Sequence, residues 1–338
     1  MRKRGLLVAA VVVAATIAPG CSRLQGPTQS EAGAYKAAKT AYYKAESPGE
    51  KAKIGESYLA KYPGGQHAAG MASLVIEYEG HQLREPDRAF ATVDSALQKV
   101  TDPEVRFEVG MELLPLSYEV KKPLDLDQLV HGLEGKRPLS FNENLDVMEA
   151  AAKHGKWPLT QARADLALGQ ATPEAYRADH PNSKAADAAI KRAVSRRSAY
   201  ALAYKAWALF NLGHQDEAMS LFKKADASAT FNYLGVCDTP VRQFWGEAEL
   251  AQGNWARASE LLEPSALFGA DDTALADLQK AYAGRNGSDA GFDTYLWKER
   301  ERRAHKVDDF ELPDYKGTKH KLSSLEGKVT YLAFWFPT

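Results

Sequence analysis

Apolar residues recur at helical spacing along most of this 338-residue chain. Met71, Leu74, Val75 and Tyr78 occupy positions i, i+3, i+4 and i+7. That spacing places all four side chains on one face of a helix, so it predicts an amphipathic helix. Two later sets repeat the pattern: Ala218, Leu221, Phe222 and Ala225, and then Val241, Phe244, Trp245 and Ala248.

Prolines and glycines interrupt the helical pattern at short intervals, which limits each helix to two to four turns. The interruptions fall at Pro48, Pro63, Pro103, Pro123, Pro138, Pro158, Pro173, Pro181, Gly213, Gly253 and 284–287. The sequence therefore predicts a mainly α fold in which many short helices are joined tightly.

Some of these joints resemble one another. The run from Leu212 to Ala218, followed by Phe222 and Ala225, resembles the turn and second helix of a tetratricopeptide repeat. The run from Gln252 to Ala258, followed by Leu262, repeats it 40 residues later, against about 34 residues in a strict repeat. A small residue after such a turn lets two helices approach closely, and the larger residue one turn later fills the groove between them.

A weaker third copy begins at Asp87-Arg88-Ala89 and continues with Val93 and Ala96. The resemblance implies a degenerate array of helical hairpins over residues 34–304. Such arrays commonly bind a peptide or a partner protein on their curved inner face. The other interpretation is that the array only holds the next domain away from the membrane.

The C-terminal segment has a different pattern. Residues 309–312 alternate polar and apolar side chains, 313–317 have turn chemistry, and 318–322 return as a second strand, which predicts a β-hairpin. Ser323 and Glu326 fit a capping box that starts one helical turn. The run 329–336 is apolar enough for a central, doubly covered strand.

This segment resembles the thioredoxin-like redoxins of the alkyl hydroperoxide reductase and thiol-specific antioxidant group. The family combines an F-x-L-x-D-x-x-G hairpin, an L-S-x-L-x-G-K-V turn and a strand ending in F-W before a Cys-x-x-Cys site. The matching residues are Phe310, Leu312, Asp314, Gly317, Leu322, Ser323, Leu325, Gly327, Lys328, Val329, Phe334 and Trp335. The resemblance implies that residues 305–338 open a thioredoxin-like α/β fold. The alternative is a hairpin that packs on the helices without a redox role.

The resemblance also implies where the active site lies. Phe334, Trp335, Pro337 and Thr338 would flank it, and the nucleophile would follow Thr338 directly, so we expect no catalytic residue in the sequence itself. A UGA codon read as selenocysteine is one explanation for that position, and a frameshifted gene or a fragment are the others. A Pro-x-x-x-Thr-x-x-Cys peroxidase loop is not visible, which favours the reductase side of the family.

The N-terminus has the features of a bacterial lipoprotein signal peptide. Residues 1–4 are basic, 6–17 are apolar and uncharged, and Ala18-Pro19-Gly20 precede Cys21. We expect residues 1–20 to be removed, Cys21 to be lipidated and 21–33 to form a linker. This places the protein in the bacterial cell envelope, with the lipid anchor as its contact with the membrane. Ordinary secretion is the alternative, because such signals prefer leucine where Ala18 stands.

Several other functions are not indicated. The eight histidines show no metal-ligand spacing, and a net charge of −1 gives no basic surface for nucleic acid. We therefore expect no metal, no cofactor and no nucleic-acid partner. Cys237 is best explained as a small buried residue near a helix start. Four tryptophans are interpreted as core residues, with a ligand groove as the alternative: Trp207, Trp245, Trp255 and Trp297.

These features together predict an exported thiol-disulfide oxidoreductase whose partners are protein thiols or disulfides, with a helical region that docks a peptide or protein. The rival interpretation is a non-catalytic helical scaffold that binds envelope proteins or peptides.

Overall fold

The computed structural model describes residues 29–232, 234–269, 271–303, 308–314 and 316–327. The predicted signal peptide, Cys21 and the apolar run 329–336 lie outside the described residues. The described part is mainly helical, which confirms the predicted class. Its helices are α1 (Gln29–Lys44), α2 (Pro48–Lys61), α3 (Ala68–Val75), α4 (Pro86–Leu97), α5 (Pro103–Glu119), α6 (Leu126–Glu134), α7 (Phe141–Lys153), α8 (Trp157–Gln170), α9 (Pro173–Asp179), α10 (Asp187–Asn211), α11 (Gln215–Ser228), α12 (Val241–Ala251), α13 (Trp255–Phe268), α14 (Asp272–Asn286) and α15 (Phe292–Arg303).

Many of the predicted interruptions are helix starts. Pro48, Pro103 and Pro173 each occupy the first position of a helix, where a missing backbone N–H costs nothing. Capping side chains precede them, and at α2 the hydroxyl of Ser47 accepts a hydrogen bond from the Glu50 amide at 3.3 Å. The sequence did not indicate that α5 and α13 each continue through a proline, Pro115 and Pro264 respectively.

Consecutive helices pack against each other in pairs. Helix α7 packs on α8, α10 on α11, α12 on α13, and α13 on α14. Helices also contact others further along the chain: α3 packs on α5, α10 on α7 and on α12, and α12 on α14. Contacts between alternate helices therefore join α7, α10, α12 and α14 in one series, whereas α5 reaches α7 through α6.

The two predicted turn copies have the same geometry. Gly213 and Gly253 adopt φ angles of +91° and +75°, in the left-handed region that glycine tolerates best. The next residue then donates its amide to a carbonyl five residues back, His214 to Leu209 and Asn254 to Glu249, each at 2.9 Å.

Two further turns place a left-handed residue at the equivalent position, at Gly155 and Arg84, with φ angles of +68° and +59°. Five residues after each of the four turns lies a fully buried small residue: Ala89, Thr160, Ala218 or Ala258. Nine residues after each turn another side chain is fully buried: Val93, Ala164, Phe222 or Leu262. Arg84 begins the weak copy predicted at 87–89, whereas the copy at Gly155 was missed because Thr160 stands where the others have alanine.

The predicted helix around Met71 changes character at Ile76, where a π-helical stretch, Ile76–Gln82, continues α3. Glu79 in this stretch is fully buried. Its carboxylate lies 2.6 Å from Nε of Arg88 on α4, which also contacts Glu56 and Glu85. A buried carboxylate needs such a partner, so this ion pair fixes α4 against the π-helical stretch.

Helices α1 and α15 are the outermost helices of the described residues. Helix α1 begins at Gln29, inside the segment 21–33 that the sequence suggested as a linker. Helix α15 ends at Arg303. Within the described ranges, no helix combines the length and the apolar character needed to cross a membrane.

The predicted hairpin is present. Strands β1 (Glu311–Pro313) and β2 (Lys319–Lys321) pair antiparallel, with Leu312 opposite His320. A 3₁₀ turn, Leu322–Leu325, follows. The predicted capping box at Ser323 is wrong: its amide and its hydroxyl both donate to the carboxylate of Asp309, each at 2.8 Å.

Candidate functional site: an aromatic groove beside an acidic row

The redox site expected from the sequence cannot be placed in the fold. Phe334, Trp335, Pro337 and Thr338 lie outside the described residues, as does the lipid-attachment residue Cys21. In the part of the chain that the structure describes, no group of His, Cys, Asp and Glu side chains could hold a metal ion.

Cys237 is the free cysteine of the described residues. It lies in the loop before α12, where it forms an isolated bridge with Phe231, and its Sγ is 3.3 Å from Oγ1 of Thr239. Burial raises the pKa of the Cys237 thiol, although the Thr239 hydroxyl opposes that shift. A raised pKa leaves little reactive thiolate, which fits the predicted packing role.

A surface groove of about 640 Å³ lies between α10, α12, α13 and α14. We call it the tryptophan groove because two indole rings form its walls. Its lining residues are Trp207, Glu247, Leu250, Ala251, Trp255, Thr273, Asp277 and Lys280.

The four tryptophans have three different roles. Trp245 is buried at 5% exposure and belongs to the core, as predicted. Trp207 and Trp255 are half-buried and line the groove, so for these two the ligand-groove alternative describes their position better. Trp297 is 69% exposed and fits neither interpretation.

Neighbouring rings fix the orientation of Trp207. Its ring stacks on Phe244 of α12 with centroids 5.5 Å apart and on Phe210 at 5.7 Å. Trp157 meets it edge-on at 6.2 Å. A ring held on several sides loses little side-chain entropy when a ligand packs on it, which favours binding.

Four polar side chains form a network at the groove. The amide of Gln243 donates to Oε1 of Glu247 at 2.7 Å and to Oδ2 of Asp277 at 2.9 Å. Lys280 reaches the other oxygen of Asp277 at 2.8 Å. Burial raises the pKa of Glu247. When Glu247 is ionised, two carboxylates face one ammonium, so the lining carries one excess negative charge.

Four carboxylates on α5 and α7 form what we call the acidic row: Glu108 and Glu112 on α5, and Asp146 and Glu149 on α7. All four side chains reach solvent, yet the surrounding protein raises the pKa of each carboxyl by removing part of its water. Like charges nearby add to the shift, Asp146 on Glu149 for example. A recessed surface explains both the solvent access and the desolvation.

Aromatic side chains connect the acidic row to the groove. Burial and the charge of Glu149 raise the pKa of Tyr204, whose hydroxyl also hydrogen-bonds Glu149. The Tyr204 ring meets Phe244 at 5.0 Å, and Phe244 in turn stacks on Trp207. The acidic row is therefore linked to the tryptophan groove through the packed rings of Tyr204, Phe244 and Trp207.

Sequence reasoning did not single out this surface, although a signal was present. Glu108 and Glu112 are four residues apart, and Asp146 and Glu149 are three residues apart. The aromatic residues Tyr200, Tyr204 and Trp207 occupy positions i, i+4 and i+7. Each set occupies one helical face. Only the tertiary structure showed that Glu112 on α5 is near Asp146 on α7 and that Glu149 on α7 is near Tyr204 on α10.

The surface offers flat apolar rings beside carboxylates whose positions are fixed by Gln243. Such rings suit aliphatic side chains, while carboxylates next to aromatic faces suit cations. The arrangement is therefore suited to binding. Comparisons with protein-family models, with curated proteins and with solved structures yield no match for this chain.

Proposed function

We propose that the protein is an exported thiol-disulfide oxidoreductase of the thioredoxin-like redoxin class, with a helical region that docks its protein substrate. One observation carries this proposal: the residues that match the redoxin motif hold the geometry of the C-terminal hairpin together.

Asp314 and Gly317 form the turn of that hairpin. The carboxylate of Asp314 accepts hydrogen bonds from the amides of Lys316 and Thr318, at 2.8 and 2.9 Å. Gly317 adopts a φ angle of +82°, which favours glycine. Asp314 thus accepts the amide hydrogen bonds of the turn and Gly317 provides its positive φ angle, two roles that a redoxin hairpin of the same spacing would need.

Ser323 and Gly327 hold the connection that follows. Ser323 is bound by Asp309, which ties the 3₁₀ turn back to the start of β1. Gly327 adopts a φ angle of +79°, a conformation that favours the glycine found at this position of the motif. In the proposal that run is the central strand, ending at Phe334 and Trp335.

The chemistry would be thiol-disulfide exchange. A thiolate or selenolate following Thr338 attacks one sulfur of the substrate disulfide and releases the other as a thiolate. A second cysteine of the protein then attacks the mixed disulfide, so the substrate leaves as a dithiol and the protein is oxidised. Lipidation at Cys21 would keep this activity in the bacterial cell envelope, and the tetratricopeptide-like array would position the substrate protein.

The reading frame beyond Thr338 tests the proposal first. We expect a codon for cysteine, or UGA, followed by Gly-x-Cys or a similar resolving cysteine and the rest of a thioredoxin fold. The chain extended through that frame should then reduce insulin in the presence of a reductant, and replacement of the first cysteine or selenocysteine by serine should abolish turnover. An extended chain that folds but reduces no disulfide would refute the redox assignment.

A non-catalytic scaffold is the second candidate, and the tryptophan groove favours it. The groove and the acidic row lie within the helical region and need no redox centre. This candidate predicts that the chain binds peptides whether or not an extended form reduces insulin.

A further inference from the structure

We infer that the tryptophan groove binds a peptide segment in which a lysine or arginine stands next to an aliphatic side chain. This inference deepens the docking role in the proposed function and rests on it. It names the chemistry of the partner, an extended basic and aliphatic segment of a protein.

The size of the groove fits a few side chains. Its volume of about 640 Å³ lies within the range of roughly 300–1,000 Å³ in which pockets hold small ligands. Trp207 and Trp255 provide aromatic lining, and Leu250 and Ala251 add further apolar surface. An aliphatic side chain that enters the groove would leave water and contact rings that are already ordered.

The polar network selects a cation. One amide group, that of Gln243, holds both Glu247 and Asp277, which brings two carboxylates close enough to act on a single positive group. The pKa of Glu247 lies above its ordinary value because burial disfavours its charge. A ligand cation would compensate that cost, so binding and ionisation of Glu247 support each other.

Lys280 determines the sign of the preference. It neutralises Asp277 in the free protein, but 69% of its side chain is exposed and can move into solvent. A ligand cation can take its place at Asp277 while the excess negative charge of the lining remains available. An acidic ligand would instead meet Glu247 and Asp277 and gain only Lys280.

The acidic row gives further specificity for basic segments. Glu108, Glu112, Asp146 and Glu149 form no ion pair within the described residues, so they are free to attract cations. Glu149 contacts Tyr204, whose ring packs on Phe244, and Phe244 stacks on Trp207 at the groove. A segment with a second basic residue several positions away should therefore bind more tightly, and salt should weaken its binding.

The test uses the 338-residue chain and two fluorescein-labelled peptides, Gly-Leu-Lys-Leu-Gly and Gly-Leu-Glu-Leu-Gly, with fluorescence anisotropy as the readout. The lysine peptide should bind and the glutamate peptide should bind at least about tenfold more weakly, because it reverses the charge that faces Glu247. Raising the salt concentration from about 20 mM to about 200 mM should weaken the binding of the lysine peptide.

Three variants locate the site. Glu247→Gln keeps the shape of the side chain and removes one charge, so it should lower the affinity for the lysine peptide about three- to fivefold. Lys280→Gln removes the competing cation and should raise that affinity by a similar factor. Glu260→Gln removes an exposed carboxylate on α13 outside the groove and should change nothing. A cooperative thermal unfolding transition would show that each variant is folded.

Any of three results would overturn the inference: equal binding of the two peptides, weaker lysine-peptide binding in Lys280→Gln, or absence of binding at about 1 mM peptide. The assay has no redox step, so its failure is separate from failure of insulin reduction. Peptide binding without insulin reduction by the extended chain would leave the groove in place and support the scaffold.

Discussion

The indole ring of Trp255 lies directly against the backbone of Gly284. A Cβ atom at position 284 would be 2.7 Å from Cε2 of that ring, closer than real Cβ contacts allow. This contact lets α14 approach α13 and holds one wall of the tryptophan groove.

We therefore expect Gly284→Ala to destabilise the protein by about 1–3 kcal/mol, because the ring cannot yield without leaving its place. Gly132→Ala is the matched control, since nothing lies near a Cβ built at this exposed position of α6. That control should stabilise by about 0.5–1 kcal/mol through helix propensity. Chemical denaturation measures both, and equal effects of the two substitutions would contradict the contact.

The shared turn geometry predicts two opposite effects. Gly213→Ala should cost about 1–2 kcal/mol, because alanine tolerates a φ angle of +91° poorly although space is open around it. Arg84→Gly should instead stabilise by up to about 1 kcal/mol, because Arg84 already adopts a φ angle of +59° at the equivalent position. Unfolding curves decide the signs, and a stabilising Gly213→Ala would exclude the proposed equivalence.

The acidic row predicts how stability depends on pH. The pKa of Glu149 is raised in the fold by burial and by Asp146, above an ordinary value of 4.5. The folded state therefore holds this proton more tightly than the unfolded state does. Its contribution to stability is complete below pH 4.5 and is lost as the pH rises through the raised pKa.

Glu149→Gln should accordingly raise the melting temperature at pH 7 and leave it nearly unchanged at pH 4. It removes a charge repelled by Asp146, a gain of up to about 1 kcal/mol that the lost hydrogen bond to Tyr204 partly offsets. The control Glu301→Gln changes an exposed residue of α15. If Glu149→Gln lowered the melting temperature at pH 7 but not at pH 4, the ionised Glu149 carboxylate would be stabilising, and the prediction would be wrong.

The raised pKa of Cys237 predicts a slow thiol. Its reaction with a disulfide reagent at pH 8 should be at least about tenfold slower in the folded protein than in denaturant, because burial limits both ionisation and access. The Cys237→Ser variant measures how much of the reaction with the reagent comes from Cys21, the other cysteine of the sequence. Thr239→Val should slow the reaction further, since it removes the hydroxyl that opposes the shift. Equal rates in the folded and unfolded states would contradict the packing role.

The hairpin turn predicts a local effect of Asp314. Asp314→Ala removes the acceptor of the Lys316 and Thr318 amides, so hydrogen exchange at Thr318 should accelerate by about tenfold or more. Asp308→Ala, which changes another exposed aspartate just before β1, should leave the exchange unchanged.

The same turn should respond to acid. Hydrogen bonds from Thr318, His320 and Lys316 lower the pKa of Asp314 below its ordinary value of 3.8. The stabilising contribution is therefore present above pH 3.8 and is lost as the pH falls through the lowered pKa. Thr318 should stay protected at pH 5 and lose protection in strong acid, while equal protection at both pH values would rule out the role of the carboxylate.

Much of the fold could be predicted because its signals are local. Pro103 and Pro173 mark helix starts since a proline at the first helical position loses no hydrogen bond. Gly213 and Gly317 mark turns because each turn needs a positive φ angle, which glycine tolerates best whatever its neighbours are. The prediction for Ser323 was wrong because it depended on which residue the side chain would bind. A capping box with Glu326 was expected, but Ser323 binds Asp309, 14 residues away.

The candidate site shows the limit of that reasoning. Trp207, Trp245 and Trp255 look alike as apolar residues at helical spacing, yet one is core and two line the groove. The difference depends on which neighbour covers each ring, and those neighbours come from α12 to α14.

The helices, their tight turns and the C-terminal hairpin could be predicted from the chain alone, because periodicity, proline and glycine act over a few residues. The link from Glu149 through Tyr204 to the rings at Trp207, and the bridge that Gln243 makes between Glu247 and Asp277, became visible only in the folded structure. Charge clusters and grooves depend on the distances between helices, and helix packing sets those distances across 30 or more residues of chain.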